Sequence, residues 1–407
     1  LKSEYGYIPE EATDRQMYGT VLTVVQEMLL NKRGDYLDQL KKNEPKRIYY
    51  MSMEFLVGRS LKNNLYNLSI EADMKKAVAE LGFDLEQIYG MEPDAGLGNG
   101  GLGRLASCYM DAATTMNYPI TGFSIRYEFG IFKQKIVDGW QVEFPVNWLD
   151  MGSYWLTPRM DEAFEVHFDG DVKEEWSENG LKTVHSNYYT VRAVPYDLLI
   201  SGHNSDAVNS LRLWRAESAD SFDMTEFSRG EYVKSMENDA KASAISKILY
   251  PADDHIEGKR LRLKQQYFFV SASLQNIIKI HLRTNPTLDN LPEKAVIHIN
   301  DTHPALCVPE LMRLLLDEYD YQWESAWAIT CKTLAYTNHT VMSEALEKWD
   351  LHLFRQHLPR ITTIVEEINR RFCNDIFERF PEKRGAIPTI SANGDGVVRM
   401  ANLCVIS

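Results

Sequence analysis

The stretch AVIHINDTHPALCVPELMRLLL, residues 295–316, carries the reading of the fold. Ala295 to Ile299 is a short apolar run of strand length, and it ends at the polar tetrad Asn300-Asp301-Thr302-His303. Pro309 then opens a helix through Leu311, Met312, Leu315 and Leu316, because proline's fixed φ suits a first turn whose N–H groups lack intrahelical partners anyway. A strand, a polar loop and an apolar-faced helix in that order make the unit of a doubly wound α/β sheet. Such sheets take ligands off the carboxyl ends of their strands, which is where the tetrad falls.

Working outward, Thr13-x-x-Gln16 is a capping box that opens an amphipathic helix through Met17, Val21, Val24, Val25 and Leu29, ending near Gly34. Arg47 to Met53 (RIYYMSM) reads as a strand. Asp138-Gly139 in KQKIVDGWQVEF and Asp169-Gly170 in FEVHFDGDV sit between β-prone runs, so each predicts a tight antiparallel hairpin. No internal repeat, low-complexity tract or compositional break marks a linker.

Composition bounds the function. The 407 residues are 44% hydrophobic and 25% charged, close to soluble globular averages, which excludes a disordered, collagenous or rod-like chain. A net charge of -14 repels nucleic acid and anionic lipid, and no basic cluster offsets it. The five cysteines are odd in number and lack any C-x-x-C pair, so a disulfide framework or zinc site is not indicated and a reducing cytoplasm is expected. No run approaches the roughly 20 apolar residues that span a bilayer. The chain starts at Leu1 and stops within the apolar run Val397 to Ile406, which predicts a piece of a longer protein.

Several segments could carry chemistry. Gly98 to Gly103 (GNGGLG) matches G-x-G-x-x-G and precedes a helix expected over Leu102 to Met116, so its amides could face a phosphate or a sugar hydroxyl. A dinucleotide site, a bare structural turn and another anion or sugar site all remain open, although Met91-Glu92-Pro93-Asp94 is a poor strand for the first of them. His303 and His339 are each a ligand, a base or a satisfied loop histidine, and no H-E-x-x-H spacing joins them into a metal site. Asp253-Asp254, after Leu249-Tyr250-Pro251, is either a solvated acidic loop or a substrate loop. Trp140, Trp148, Trp155 and Trp214 offer flat faces on which sugars stack and cores pack alike.

Five longer motifs in order narrow these alternatives: EFLVGR (Glu54 to Arg59), EPDAGLGNGGLGRLASC (Glu92 to Cys108), IRYEFGIFKQKIVDGWQVE (Ile125 to Glu143), INDTHPAL (Ile299 to Leu306) and AYTNHTVMSEALEKW (Ala335 to Trp349). Their order and spacing resemble the N-terminal half of the α-1,4-glucan phosphorylases, the glycogen, starch and maltodextrin enzymes. The resemblance runs from about Asp14 to Ser407 and implies one N-terminal glucan-binding domain over residues 1–407. It implies a Rossmann-like fold within a GT-B-type glycosyltransferase, here with antiparallel hairpin insertions. It also implies pyridoxal phosphate as cofactor, α-1,4-glucan and phosphate as substrates, and a homodimer, with a long pairing helix expected in Glu226 to Ile248.

Residue by residue, the resemblance makes Gly100 and Gly101 main-chain donors to the phosphates and gives Leu102's amide to the glucosyl unit. His339 resembles the histidine that binds the glucosyl 6-hydroxyl, its carbonyl facing the developing positive charge. Asp253 and Asp254 resemble the loop that gates the cleft near the 2-hydroxyl, although the second position is Asn in animal enzymes. Glu54, Tyr250, Arg262, Asp301, His303 and Glu344 resemble the wall for the acceptor glucan. Lys279-Ile280 stands where animal enzymes place paired arginines for an activating nucleotide, and Leu56 replaces their tyrosine, so nucleotide and phosphorylation control are expected to be absent. The Schiff-base lysine is expected outside this chain, which by itself should be inactive. A non-catalytic glucan-binding protein and a dinucleotide-dependent oxidoreductase are the rival readings.

Overall fold

Thr13 caps its helix in the way its spacing predicts. Its hydroxyl accepts from the Gln16 amide at 3.3 Å, while its own amide donates to the Gln16 side chain at 2.9 Å. The helix does not stop at Gly34 but runs over Asp14–Asn43 to a left-handed Glu44. A mid-helix glycine costs only about 1 kcal/mol, and burial of Tyr36 and Leu40 beyond it outweighs that.

In this computed structural model, which describes residues 1–177, 180–220 and 223–407, the chain forms two compact units. The first comprises Leu1–Met160, Pro195–Arg215 and Ser246–Leu249. Its strands Arg47–Met51 and Ile120–Ile125 run parallel, with Ile48 opposite Ile120, and Val208–Ser218 joins in parallel with Ser210 opposite Thr121. Leu156–Pro158 pairs antiparallel with Tyr189–Ser201, placing Leu156 opposite Leu198. Met17, Leu22, Val25 and Leu29 of the long helix share one core cluster with Phe55, Ile120, Leu211 and Leu213. Inside the sheet, Arg212 grips Asp197 through Nε and Nη2, both at 2.8 Å, so two buried charges neutralise each other.

The Asp138-Gly139 hairpin forms as expected: Phe132–Val137 pairs antiparallel with Trp140–Pro145, and both turn residues take positive φ, 51° and 85°. Of the four tryptophans noted above, Trp148, Trp155 and Trp214 are core residues and only Trp140, 77% exposed at this hairpin, offers a free face.

The second unit comprises Asp161–Val194, Ala216–Ile245 and Tyr250–Ser407. The expected strand, loop and helix are present. Ala295–Asn300 runs parallel to Leu334–Thr337, with Asn300 opposite Thr337, and the helix Cys307–Arg313 follows. Pro309 lies in the first turn of that helix rather than at its opening residue. Two expectations fail here. Asp169 and Gly170 have the φ values of a hairpin turn, 61° and 88°, yet their flanking strands do not pair. Phe164–Phe168 pairs with the chain at 189–193, and Asp171–Ser177 pairs with Gly180–Ser186. Nor is there a long helix over Glu226 to Ile248. Three short ones, Met224–Ser228, Tyr232–Ser235 and Glu237–Ser243, replace it, with Gly230 at φ 85° following the first. The long helix of this unit is Ile256–Leu282, with 27 residues. Among the described residues no helix is long and apolar enough to cross a membrane.

Candidate functional site

The glycine turn of the first unit is built around a carboxylate. Glu54 follows the first strand and is only 3% exposed. Its Oε2 accepts from the amides of Asn99 at 2.8 Å and Gly100 at 3.2 Å. Two of the glycines are there for space. A Cβ on Gly98 would stand 2.8 Å from the Leu56 amide nitrogen, and one on Gly103 would stand 2.8 Å from Glu54 Oε2. Gly101 differs, since no atom lies within 4 Å of a Cβ placed there and the residue is exposed. Gly100 is the N-cap of the helix Gly101–Thr115, so Gly101 and Leu102 carry first-turn amides that the helix itself leaves without partners. Those amides, at the positive end of the helix, can receive an oxyanion. Gly100 was expected among the phosphate donors, and its amide is instead taken by Glu54. Glu54 was expected in the glucan wall, and it turns inward because the turn needs an acceptor for its amides.

The second unit assembles a different cluster off the carboxyl end of the strand Ala295–Asn300. Arg262 Nη1 donates to Asp253 Oδ2 at 2.8 Å, and its guanidinium carbon lies 5.7 Å from the Tyr250 ring centre. The Tyr250 ring in turn stands 5.8 Å from the His303 ring. Tyr250 and Asp301 hold φ of 53° and 63°. A left-handed tyrosine is costly, and backbone strain of this kind gathers at binding sites. Asp301 is fixed by its own amide donating to the Thr337 carbonyl at 3.0 Å.

His339 is exposed, and its Nε2 lies 2.7 Å from Oδ1 of the buried Asn300. With Asn300 accepting, the proton sits on Nε2 and Nδ1 is left as an acceptor for a hydroxyl. Behind it, burial first and then His339 hold the His298 imidazole below its ordinary range. The cluster therefore brings together Tyr250, Asp253, Arg262 and His303, and joins His339 to Asn300. Asp254 is exposed nearby in sequence, and Glu344 is exposed with Ser343 as its neighbour at 3.4 Å.

Glu347, which the sequence reading passed over, is the hub instead. Its Oε1 accepts from Gln266 at 2.8 Å and lies 3.5 Å from Arg262, and its Oε2 accepts from Thr302 at 3.1 Å. It lies inside the motif Ala335 to Trp349, but nothing in a linear motif separates Glu344 from Glu347. The difference is made by three partners distant in sequence.

The protein is thus of the α/β class, with first-turn amides in one unit and carboxylates, imidazoles, a guanidinium and a tyrosine face gathered in the other, group types that can bond oxyanions and hydroxyls. Residues 78–407 match the carbohydrate phosphorylase family model, and the chain belongs to that family. It is 44% identical over 98% of its length to the glycogen phosphorylase of Chlamydia trachomatis, covering 49% of that protein. It is likewise 44% identical over 98% of its length to that of Bacillus subtilis, and 42% over 97% to the muscle form of Ovis aries. The chain spans about half the length of the curated relatives it matches.

Proposed function

We propose that this chain is the N-terminal, glucan-binding part of an α-1,4-glucan phosphorylase, a Rossmann-like domain of a GT-B architecture over residues 1–407. The whole protein transfers the terminal glucosyl unit of glycogen or maltodextrin to orthophosphate, giving glucose 1-phosphate and a glucan one unit shorter. The first-turn amide of Gly101 receives phosphate oxygens and that of Leu102 faces the glucosyl unit, with Gly100 supplying the cap that aims them. Nδ1 of His339 accepts from the glucosyl 6-hydroxyl, and its carbonyl faces the charge that develops on the sugar. Asp253 and Asp254 border the sugar, while Tyr250, Arg262, Asp301, His303 and Glu344 hold the acceptor chain through ring faces and paired hydroxyl contacts.

The residues present fit the phosphate end of pyridoxal phosphate. The observation is the open space at Gly101 beside a turn whose amides already converge on the Glu54 carboxylate. Gly101 would hold that phosphate together with the rest of the protein, and when bound the cofactor supplies a phosphate able to exchange a proton. The five cysteines, all unpaired, support a reducing cytoplasm, and a homodimer completes the reading.

The observation that carries this function is the glycine turn closed on Glu54 with its next amides open to an anion. Maltoheptaose and phosphate given to the whole protein should yield glucose 1-phosphate, and the 407 residues alone should bind maltoheptaose without turnover. Glucan binding with no product from the whole protein would leave a non-catalytic glucan-binding protein instead. Light scattering checks the dimer.

A further inference from the structure

The imidazole of His339 is exposed, yet the side chain it bonds is wholly buried. The strands Ala295–Asn300 and Leu334–Thr337 run side by side with Asn300 opposite Thr337, and His298 and Asn300, alternate residues of one strand, share a face. Three bonds tie the chain that carries His339 to the neighbouring strand. The Asp301 amide donates to the Thr337 carbonyl at 3.0 Å, the Thr337 hydroxyl lies 2.8 Å from His298 Nε2, and Asn300 Oδ1 lies 2.7 Å from His339 Nε2. Only the last touches the His339 ring. The other two hold the backbone whatever side chain stands at position 300.

Because Asn300 is buried, the interior sets the direction of its amide group, and the exposed imidazole follows that amide. An imidazole free to rotate loses that freedom when it meets a sugar, which weakens binding. Asn300 orders the ring beforehand. It also fixes the ring's polarity, since an oxygen opposite Nε2 keeps the proton there and leaves a lone pair on Nδ1. A hydroxyl can donate to that lone pair, whereas a methyl group or a fluorine has no proton to give. We propose that Asn300 is a positioning residue that sets selectivity for a sugar 6-hydroxyl, holding the His339 ring in place with Nδ1 as acceptor and so favouring glucosyl over 6-deoxyglucosyl donors. The inference rests on the reading that His339 meets the glucosyl 6-hydroxyl and adds what makes the ring fit for it.

The whole protein is tested in the direction of glucan synthesis, lengthening maltoheptaose from glucose 1-phosphate or from its 6-deoxy and 6-deoxy-6-fluoro analogues. The quantity read is kcat/KM for glucose 1-phosphate divided by that for the 6-deoxy compound, a ratio from which any loss of folded enzyme cancels. Asn300→Leu, close in size, lowers the ratio about fivefold, through glucose 1-phosphate rather than the 6-deoxy compound. His339→Ala lowers it at least as far, and adding Asn300→Leu to His339→Ala lowers it no further, because the asparagine acts only through the ring. Asn300→Asp keeps the shape but sets a carboxylate against Nε2, which favours the imidazolium and puts a proton on Nδ1. Fluorine, which can only accept, then gains on the 6-deoxy compound relative to wild type, its inductive effect being common to both proteins. A merely structural Asn300 would slow every donor alike. A wild-type ratio in Asn300→Leu beside a lowered one in His339→Ala therefore overturns the proposal and leaves the 6-hydroxyl reading standing. A wild-type ratio in His339→Ala removes that reading and the proposal with it. If Asn300→Leu does not fold, the isosteric Asn300→Asp carries the test, and no gain by the fluoro compound there overturns the proposal.

Discussion

Gly103→Ala tests whether Glu54 is what shapes the glycine turn. The new methyl would stand 2.8 Å from Glu54 Oε2, 2.9 Å from its Cγ and 3.0 Å from its Cδ, all well inside ordinary contact. Glu54 has little room to retreat, because the next residues are tied down on both sides. Phe55 donates to the Leu97 carbonyl at 2.8 Å and Leu56 to the Gly103 carbonyl at 2.9 Å. The carboxylate must therefore leave the Asn99 and Gly100 amides. A hydrogen bond to a charged group contributes about 1.5–3 kcal/mol, and two are lost. Alanine's advantage over glycine inside a helix returns about 1 kcal/mol, leaving a net loss of about 2–5 kcal/mol. Gly101→Ala is the matched control, since its methyl meets nothing within 4 Å and the same helix preference makes it neutral or slightly stabilising. Urea unfolding followed by the fluorescence of the buried Trp148 and Trp155 compares the two. If Gly103→Ala unfolds at the wild-type urea concentration, the turn does not depend on Glu54 and the account of the anion seat fails.

Asp197→Ala leaves Arg212 buried without its bidentate partner, so a loss of about 3–5 kcal/mol is expected in the same urea assay, against little for the exposed pair partner Asp150→Ala. Burial opposes ionisation of Asp169, but His357 and Lys264 outweigh it and hold the carboxyl below its ordinary range. Its stabilisation is therefore present above the unfolded value near pH 4 and disappears as pH falls through the lower folded value; Asp169→Asn should flatten that acid limb of the melting curve. His298, held neutral by burial, acts at milder pH. Stability is full above about pH 6.5 and declines as acid forces the ring to charge, and His298→Gln should remove that decline.

Local signals were readable where a few neighbouring residues suffice. Thr13 with Gln16 and Asp138 with Gly139 each decide their own geometry, and both appear as expected. Asp169-Gly170 adopts the same turn conformation, yet the strand before it finds residues 189–193 and the strand after it finds Gly180–Ser186. Turn chemistry bends the chain there, while pairing is chosen by distant partners. The end of the helix that Thr13 caps lies beyond its expected place for a related reason. Gly34 is a weak stop, and the burial that carries the helix past it belongs to tertiary packing. Within the site, Gly98 to Gly103 was visible as a motif, but its division into inward and outward amides depends on Glu54, which lies 45 residues before Asn99. Glu347 was invisible for the same cause.

Because the Asn99 and Gly100 amides are answered from within, the turn reaches its final shape before any guest arrives. On the proposed reading, folding and ligand capture draw on separate members of one short row of N–H groups. If the outer amides bind an oxyanion as proposed, changes in what they receive would leave the inner scaffold untouched, and preference for one oxyanion over another could drift without endangering the architecture that presents it.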